Sequence, residues 1–262
     1  LYEGVDIKGL GTTGLVTYIR TDSVRISDVA REAAKNMILS DYGQGYLGTN
    51  VYTNKKKDVQ DAHEAIRPSN PELKPDDIKE SLTKDQYNLY RLIWCRFTAS
   101  QMSNAVFDAV SADIVNNDYL FRATGSKLKF DGYLAVYNNT SEDEKNRLLP
   151  PLDKGEELKL LDLKGEQHFT QPPSRYTEAS LVKDLEEKNI GRPSTYAPIV
   201  GTLAERKYVT REKKMLIPTE LGLLVTELME TYFKDIVDVG FTAEMEDRLD
   251  AVEVKNIDWH SV

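Results

Sequence analysis

The chain has 262 residues, 40% hydrophobic and 29% charged, a soluble globular composition long enough for one large domain or two to three smaller ones. A single cysteine, Cys95, excludes an internal disulfide and a thiolate metal site, three scattered histidines argue against a His-rich metal centre, and no run approaches 18 apolar residues, so no membrane span is expected. The net charge of −9 speaks against indiscriminate nucleic-acid binding and leaves room only for a local basic site.

The chain opens "LYEGVDIKG" without Met and closes "DWHSV", and is expected to be a piece of a longer protein. It carries no basic, apolar leader, which points to a cytoplasmic setting. The first predicted element is a short strand in "GLVTYIRT". Period-two alternation puts Tyr18 and Arg20 on one face and Leu15, Thr17 and Ile19 on the other. "SDVAREAAKNMIL" predicts a helix capped by Ser27, with Val29, Ala33 and Met37 recurring at spacing four. "VQDAHEAIRPS" predicts a short helix or turn ending before Pro68. "TKDQYNLYRLIWCRFTASQM" predicts a long helix with an apolar stripe through Tyr87, Tyr90, Leu92, Ile93, Phe97 and Met102. Residues 1–103 therefore form a helical domain with one short strand.

The period then changes to two. "AVFDAVSADIVNN", "YLFRATGSKLKF", "GYLAVYNN" and "EELKLLDLKG" predict strands, making residues 104–165 a β-rich segment. Residues 166–262 turn helical again. A helix capped by Thr177 ends at the C-cap pair Asn189 and Gly191, and a second, capped by Ser194 or Thr195, starts almost at once. "KYVTREKKMLIPT" predicts two short strands around a charged turn, and "TELGLLVTELMETYF" and "FTAEMEDRLDAVEV" are amphipathic helices, with Phe241 and Met245 expected in the core. Helix, turn, helix and β wing is the winged helix-turn-helix order. The fold class is α+β and multidomain, mainly α with a small β section.

Three stretches carry chemistry. In "TYIRTDS" a phenol stands beside a guanidinium. The cation favours the phenolate and neutralises a phosphodiester oxygen as charge develops on it, and Arg has bidentate reach to phosphate. Tyr18 is one of 14 tyrosines, and an exposed strand Tyr beside an exposed Arg is the plain alternative. In "DAHEAIRPS", a helix would place His63 and Arg67 at i and i+4 on one face, suited to a phosphate backbone; the alternative is a solvated helix surface. In "NIGRPSTYAPIV", a helix N-terminus, two hydroxyls (Ser194, Thr195) and Arg192 make an anion site, against routine capping. Arg175 and Tyr176, just upstream, are candidates for contact with a strand backbone or base, or simple loop surface.

Taken in order, "GLVTYIRTDSVRIS", "DAHEAIRP", "YTEASLVKDLEEKNIGRPSTYAPIV" and "FTAEMEDRLD" resemble four blocks of the type IA DNA topoisomerases, along essentially the whole chain. Ile19 resembles the topoisomerase I branch, since the topoisomerase III branch usually carries Pro there. The resemblance implies that Tyr18 attacks a single-strand phosphodiester to give a 5′-phosphotyrosyl link, with Arg20 holding the attacked phosphate. His63 and Arg67 would bind DNA near the tyrosine, and Arg192, Ser194 and Thr195 would hold the single-stranded backbone, with Arg175 and Tyr176 assisting. Strand passage would relax negatively supercoiled DNA without ATP, by a monomer acting on the bacterial nucleoid. The family's Mg²⁺ is held by a Toprim domain that does not lie in this chain, so no metal is expected here and the fragment is expected to be inactive alone. The competing expectation is a non-enzymatic winged-helix DNA-binding protein. A tyrosine recombinase would group more Arg and His around the tyrosine in a basic domain, which the net charge opposes.

Overall fold

The computed structural model describes residues 1–19, 21, 23–52, 64–138, 148–253 and 257–261. The chain divides into two compact units, Leu1–Leu163 and Lys164–Val262. Described elements are seven α-helices and three two-stranded antiparallel sheets, an α+β fold.

In the first unit, β1 (Val5–Ile7) pairs with β2 (Gly11–Thr13). The expected strand through Tyr18 is not formed. After β2 a single bridge joins Val16 to Pro68. Leu15 and Val16 are both buried and Ile19 is exposed, so strict alternation fails here.

Helix α1 (Asp28–Asp41) starts at Ser27, whose hydroxyl accepts from the Ala30 N–H. Met37 of the expected line is buried, together with Ala30, Ala34 and Ile38, whereas Val29 is 82% exposed and Ala33 only half-buried. Small residues at 30 and 34 let the helix approach Phe97. Helix α2 (Lys84–Gln101) opens with a reciprocal capping box between Thr83 and Gln86. It buries Tyr90, Trp94 and Phe97 and leaves Leu92 half exposed. Both buried polar tips are satisfied: the Tyr90 hydroxyl donates to the Leu73 carbonyl at 2.7 Å and the Trp94 indole N–H to the Pro71 carbonyl at 2.8 Å. The core gathers Ile7, Leu15, Val16, Met37, Ile38, Ile78, Tyr90, Trp94 and Met102, and thereby seats the Tyr18 segment on the helices.

β3 (Val106–Asn116) and β4 (Tyr119–Phe130) form the predicted long hairpin, with Asn117 at φ 52° in its two-residue turn. Among the described residues, the two further strands expected in this region are absent. Gly132–Ala135 is a 3-10 turn, started by Gly132 at φ 48° packed against the Ser103 and Asn104 carbonyls. Among the described residues, 156–165 find no partner strand, and Leu158, Leu160, Leu161 and Leu163 remain exposed.

In the second unit, α3 (Glu178–Glu187) begins with a Thr177–Ser180 capping box and ends through Asn189 at φ 56° and Gly191 at φ 75°. Next come α4 (Tyr196–Glu205), β5 (Val209–Glu212) and β6 (Met215–Pro218), a helix–turn–helix followed by a β wing. Tyr176 and Thr177 line the wing's other edge: Leu216 N–H donates to the Tyr176 carbonyl at 2.7 Å and Thr177 bridges Met215. Helix α5 (Glu220–Tyr232), capped by Thr219, α6 (Lys234–Val237) and α7 (Val239–Glu253) complete the unit. Phe241, expected in the core, is 43% exposed and Met245 is half-buried, while Glu246, Asp247 and Asp250 of α7 face Arg192.

Candidate active site

Tyr18 presents its phenol at the surface, 52% exposed, edge-on to Tyr2 with ring centroids 5.5 Å apart. Its backbone is pinned immediately upstream. Leu15 N–H donates to the Leu1 carbonyl at 2.8 Å, Ser69 N–H to the Leu15 carbonyl at 2.9 Å, and Thr17 N–H to the Arg67 carbonyl at 3.0 Å. The Thr17 hydroxyl donates to the Ala65 carbonyl at 2.8 Å and accepts from the Arg67 N–H at 3.0 Å. An exposed phenol on so tightly fixed a backbone would lose little freedom on engaging a substrate. Arg20 and His63 lie outside the described residues.

Arg67 does not sit on a helix; the described residues 64–67 are irregular. Its guanidinium is largely buried and grips Glu64 Oε2 through Nε at 2.7 Å and Nη2 at 2.6 Å, while Nη1 donates to the Pro68 carbonyl at 2.9 Å. Burial alone would push the Glu64 carboxyl up, yet hydrogen bonding and charge from Arg67, with help from Ser27 and Arg25, hold it below the usual range. In this arrangement Arg67 braces the ledge beneath Tyr18. Two residues near the tyrosine escape motif reading. Thr17 is the hydrogen-bonding hub, and Arg25 places a cation beside Glu64 with its Nε buried and without a hydrogen-bond partner among the described residues. The only sequence signal for Arg25 is that it lies in "TDSVRIS", five residues after Arg20.

In the second unit, Arg192 is also engaged. Its guanidinium meets Asp250 Oδ2 at 2.7 Å, Asp247 at 3.6 Å and Glu246 at 3.8 Å, and donates to the Gly191 carbonyl at 2.8 Å. Thr195 occupies the N-cap position of α4, but its hydroxyl turns back to accept from the Arg192 N–H at 2.8 Å and does not cap the helix. The Thr195 and Tyr196 N–H groups both donate to the Arg192 carbonyl, and Pro198 has no N–H, so few first-turn donors face an anion. Ser194 and Thr195 are exposed. Tyr176 donates its hydroxyl to Asp184 at 2.8 Å, which pushes the phenol above its ordinary range, and Arg175 stands exposed just before it. Among the described residues no three of His, Cys, Asp and Glu converge where a metal ion could be held, and no helix is long and apolar enough to cross a membrane.

The family profile described as "DNA topoisomerase" matches residues 1–262. The chain belongs to the DNA topoisomerase family. The structure of full-length topoisomerase I from Thermotoga maritima superposes with a TM-score of 0.83 at 40% sequence identity, over 97% of this chain. That places the chain in the type IA branch. It spans 41% of the Thermotoga topoisomerase I chain.

Proposed function

We propose that this chain supplies the nucleophile and one DNA-holding surface of a type IA topoisomerase, an isomerase that relaxes negative supercoils without ATP. The observation that carries the reading is Tyr18: an exposed phenol on a backbone pinned by Thr17 and Arg67, in a chain of this family. In the proposed step the Tyr18 phenol oxygen bonds to a phosphorus of single-stranded DNA as the bond from that phosphorus to the 3′ oxygen breaks. The phenol gives up its proton, the leaving 3′ oxygen takes one up, and the reverse transfer reseals the strand. Arg20 stabilises charge on the attacked phosphate, and His63 supports the DNA nearby. Arg67 acts from beneath, holding the ledge, and Ser194 and Thr195 offer hydroxyls to the single-stranded backbone, with Arg192, Arg175 and Tyr176 beside them. In this reading the Mg²⁺ of the whole enzyme is held by its Toprim domain and not by the residues around Tyr18. The whole protein acts as a cytoplasmic monomer on the nucleoid.

The test is Tyr18→Phe in the full-length protein. Relaxation should vanish while DNA binding persists; retained relaxation would overturn the assignment. The 262-residue chain with single-stranded oligonucleotide and Mg²⁺ should give no covalent adduct, and an adduct in good yield would show the chain competent alone. The helix–turn–helix and wing of the second unit favour one other reading, a duplex-binding regulator, for which Tyr18→Phe changes nothing.

A further inference from the structure

The tip of the wing is built from the wrong residues for stability alone. Glu212 pairs with Met215, so the loop joining β5 to β6 is Lys213–Lys214, two residues long. Both have positive φ, 46° and 72°. Two-residue hairpin loops of this kind strongly prefer Asn-Gly or Gly-Gly, because a Cβ is poorly accommodated there. Two lysines in succession carry that conformational cost twice, and outliers of this kind concentrate at functional positions.

The charges at the tip are also uncompensated. Lys213 and Lys214 are exposed, and among the described residues neither forms an ion pair. Glu212, the adjacent carboxylate, pairs with neither, and the nearby Arg211 is committed to Glu178 at 2.5 Å. This contrasts with Lys183, Lys188, Arg192 and Arg248 in the same unit, each of which has a carboxylate partner. In a chain with 43 acidic against 34 basic residues, two adjacent ammonium groups at the tip of a two-residue turn concentrate positive charge.

We propose that the Lys213–Lys214 turn is a contact for the phosphate backbone of duplex DNA, separate from the residues that hold the single strand; this rests on the reading that the chain handles DNA. Lys is a flexible point charge and reads no base or bidentate geometry, so the contact is sequence-independent. A duplex is the favoured occupant because it presents about one negative charge per 1.7 Å of axis, enough for both side chains to find a phosphate at once.

The conformational mismatch supplies the test. Lys213→Asn combined with Lys214→Gly installs the residues the turn prefers, so the variant should melt no lower than the parent chain. Its affinity for a short duplex at low salt should nonetheless fall roughly tenfold, and the slope of log K against log salt should shrink by about 1.8, two phosphates' worth. Single-strand affinity should change much less. A charge-matched control, Lys154→Asn with Lys159→Gln, removes two exposed lysines from the other unit and should leave the duplex slope unaltered. An unchanged slope in the turn variant, or an equal loss in the control, overturns the proposal. A parent chain that binds no duplex overturns it too. The enzymatic reading is judged separately, by relaxation in the Tyr18→Phe protein.

Discussion

Thr17 and Arg67 hold each other from both directions across fifty residues of sequence: Thr17 N–H donates to the Arg67 carbonyl, and Arg67 N–H donates to the Thr17 hydroxyl, each at 3.0 Å. The residue after Thr17 is the candidate nucleophile. Its position is therefore set by a hydrogen-bonded seam between two irregular segments, with no regular sheet involved. The same hydroxyl also donates to the Ala65 carbonyl at 2.8 Å, so one residue, through its hydroxyl and its N–H, meets three backbone groups on the opposite segment.

Thr17→Val should destabilise the first unit by about 1–3 kcal/mol, since it keeps the shape but leaves the half-buried Arg67 N–H and Ala65 carbonyl without their partner. Urea unfolding measures this, and Thr17→Ser should recover most of the loss. Equal stability of the Val variant and the parent would show that the seam does not depend on the hydroxyl.

Glu64 gives the first unit a defined pH dependence. Its folded carboxyl lies below its ordinary value, so the Arg67 pair contributes stability above the unfolded pKa of about 4.3. That contribution is lost as pH falls through the lower folded value. Urea midpoints measured between pH 6 and pH 3 should fall more steeply for the parent chain than for Glu64→Gln. Arg67→Ala should cost about 2–3 kcal/mol at neutral pH, because it strands a largely buried carboxylate.

If Arg192 holds DNA as proposed, its ion pair with Asp250 competes with that contact. Replacing Asp250 by Asn removes the nearest carboxylate from the Arg192 guanidinium and should tighten single-strand binding several-fold at low salt. Because Asp250 is half exposed, the stability loss should stay within about 1 kcal/mol. Filter binding or fluorescence anisotropy decides it. Weaker binding would mean that Arg192 serves DNA only by holding the start of α4 against α7.

Gly222 should not tolerate Ala, although Ala is the better helix former by about 1 kcal/mol. A Cβ at this position in α5 would stand 2.2 Å from the Tyr208 carbonyl oxygen, which is backbone and cannot swing away. We expect Gly222→Ala to lower stability by about 2–3 kcal/mol through displacement of the helix from the wing, visible in thermal melts.

What the sequence determined by itself was local. Ser27, Thr83, Thr177 and Thr219 all cap the helices they precede, because a cap needs only a hydroxyl within three residues of the N–H it accepts from. The long hairpin and the wing follow from alternation and two-residue turns, again local. The order of "TYIRTDS" and its companion blocks pointed to the family that the comparison then showed. Tertiary structure decided everything that depends on which distant groups meet. It made the Tyr18 segment a pinned ledge instead of a strand, because Arg67 and Ala65 reach it and, among the described residues, no neighbouring strand does. It moved the buried face of α1 onto Ala30 and Ala34, because Phe97 of α2 lies there. It turned Arg192 from an open anion site into a clasped one, because Asp250, fifty-eight residues on, comes within 2.7 Å. Short-range hydrogen bonds are written in neighbouring letters, whereas the partner of a buried charge is fixed only when the helices that carry both ends have packed.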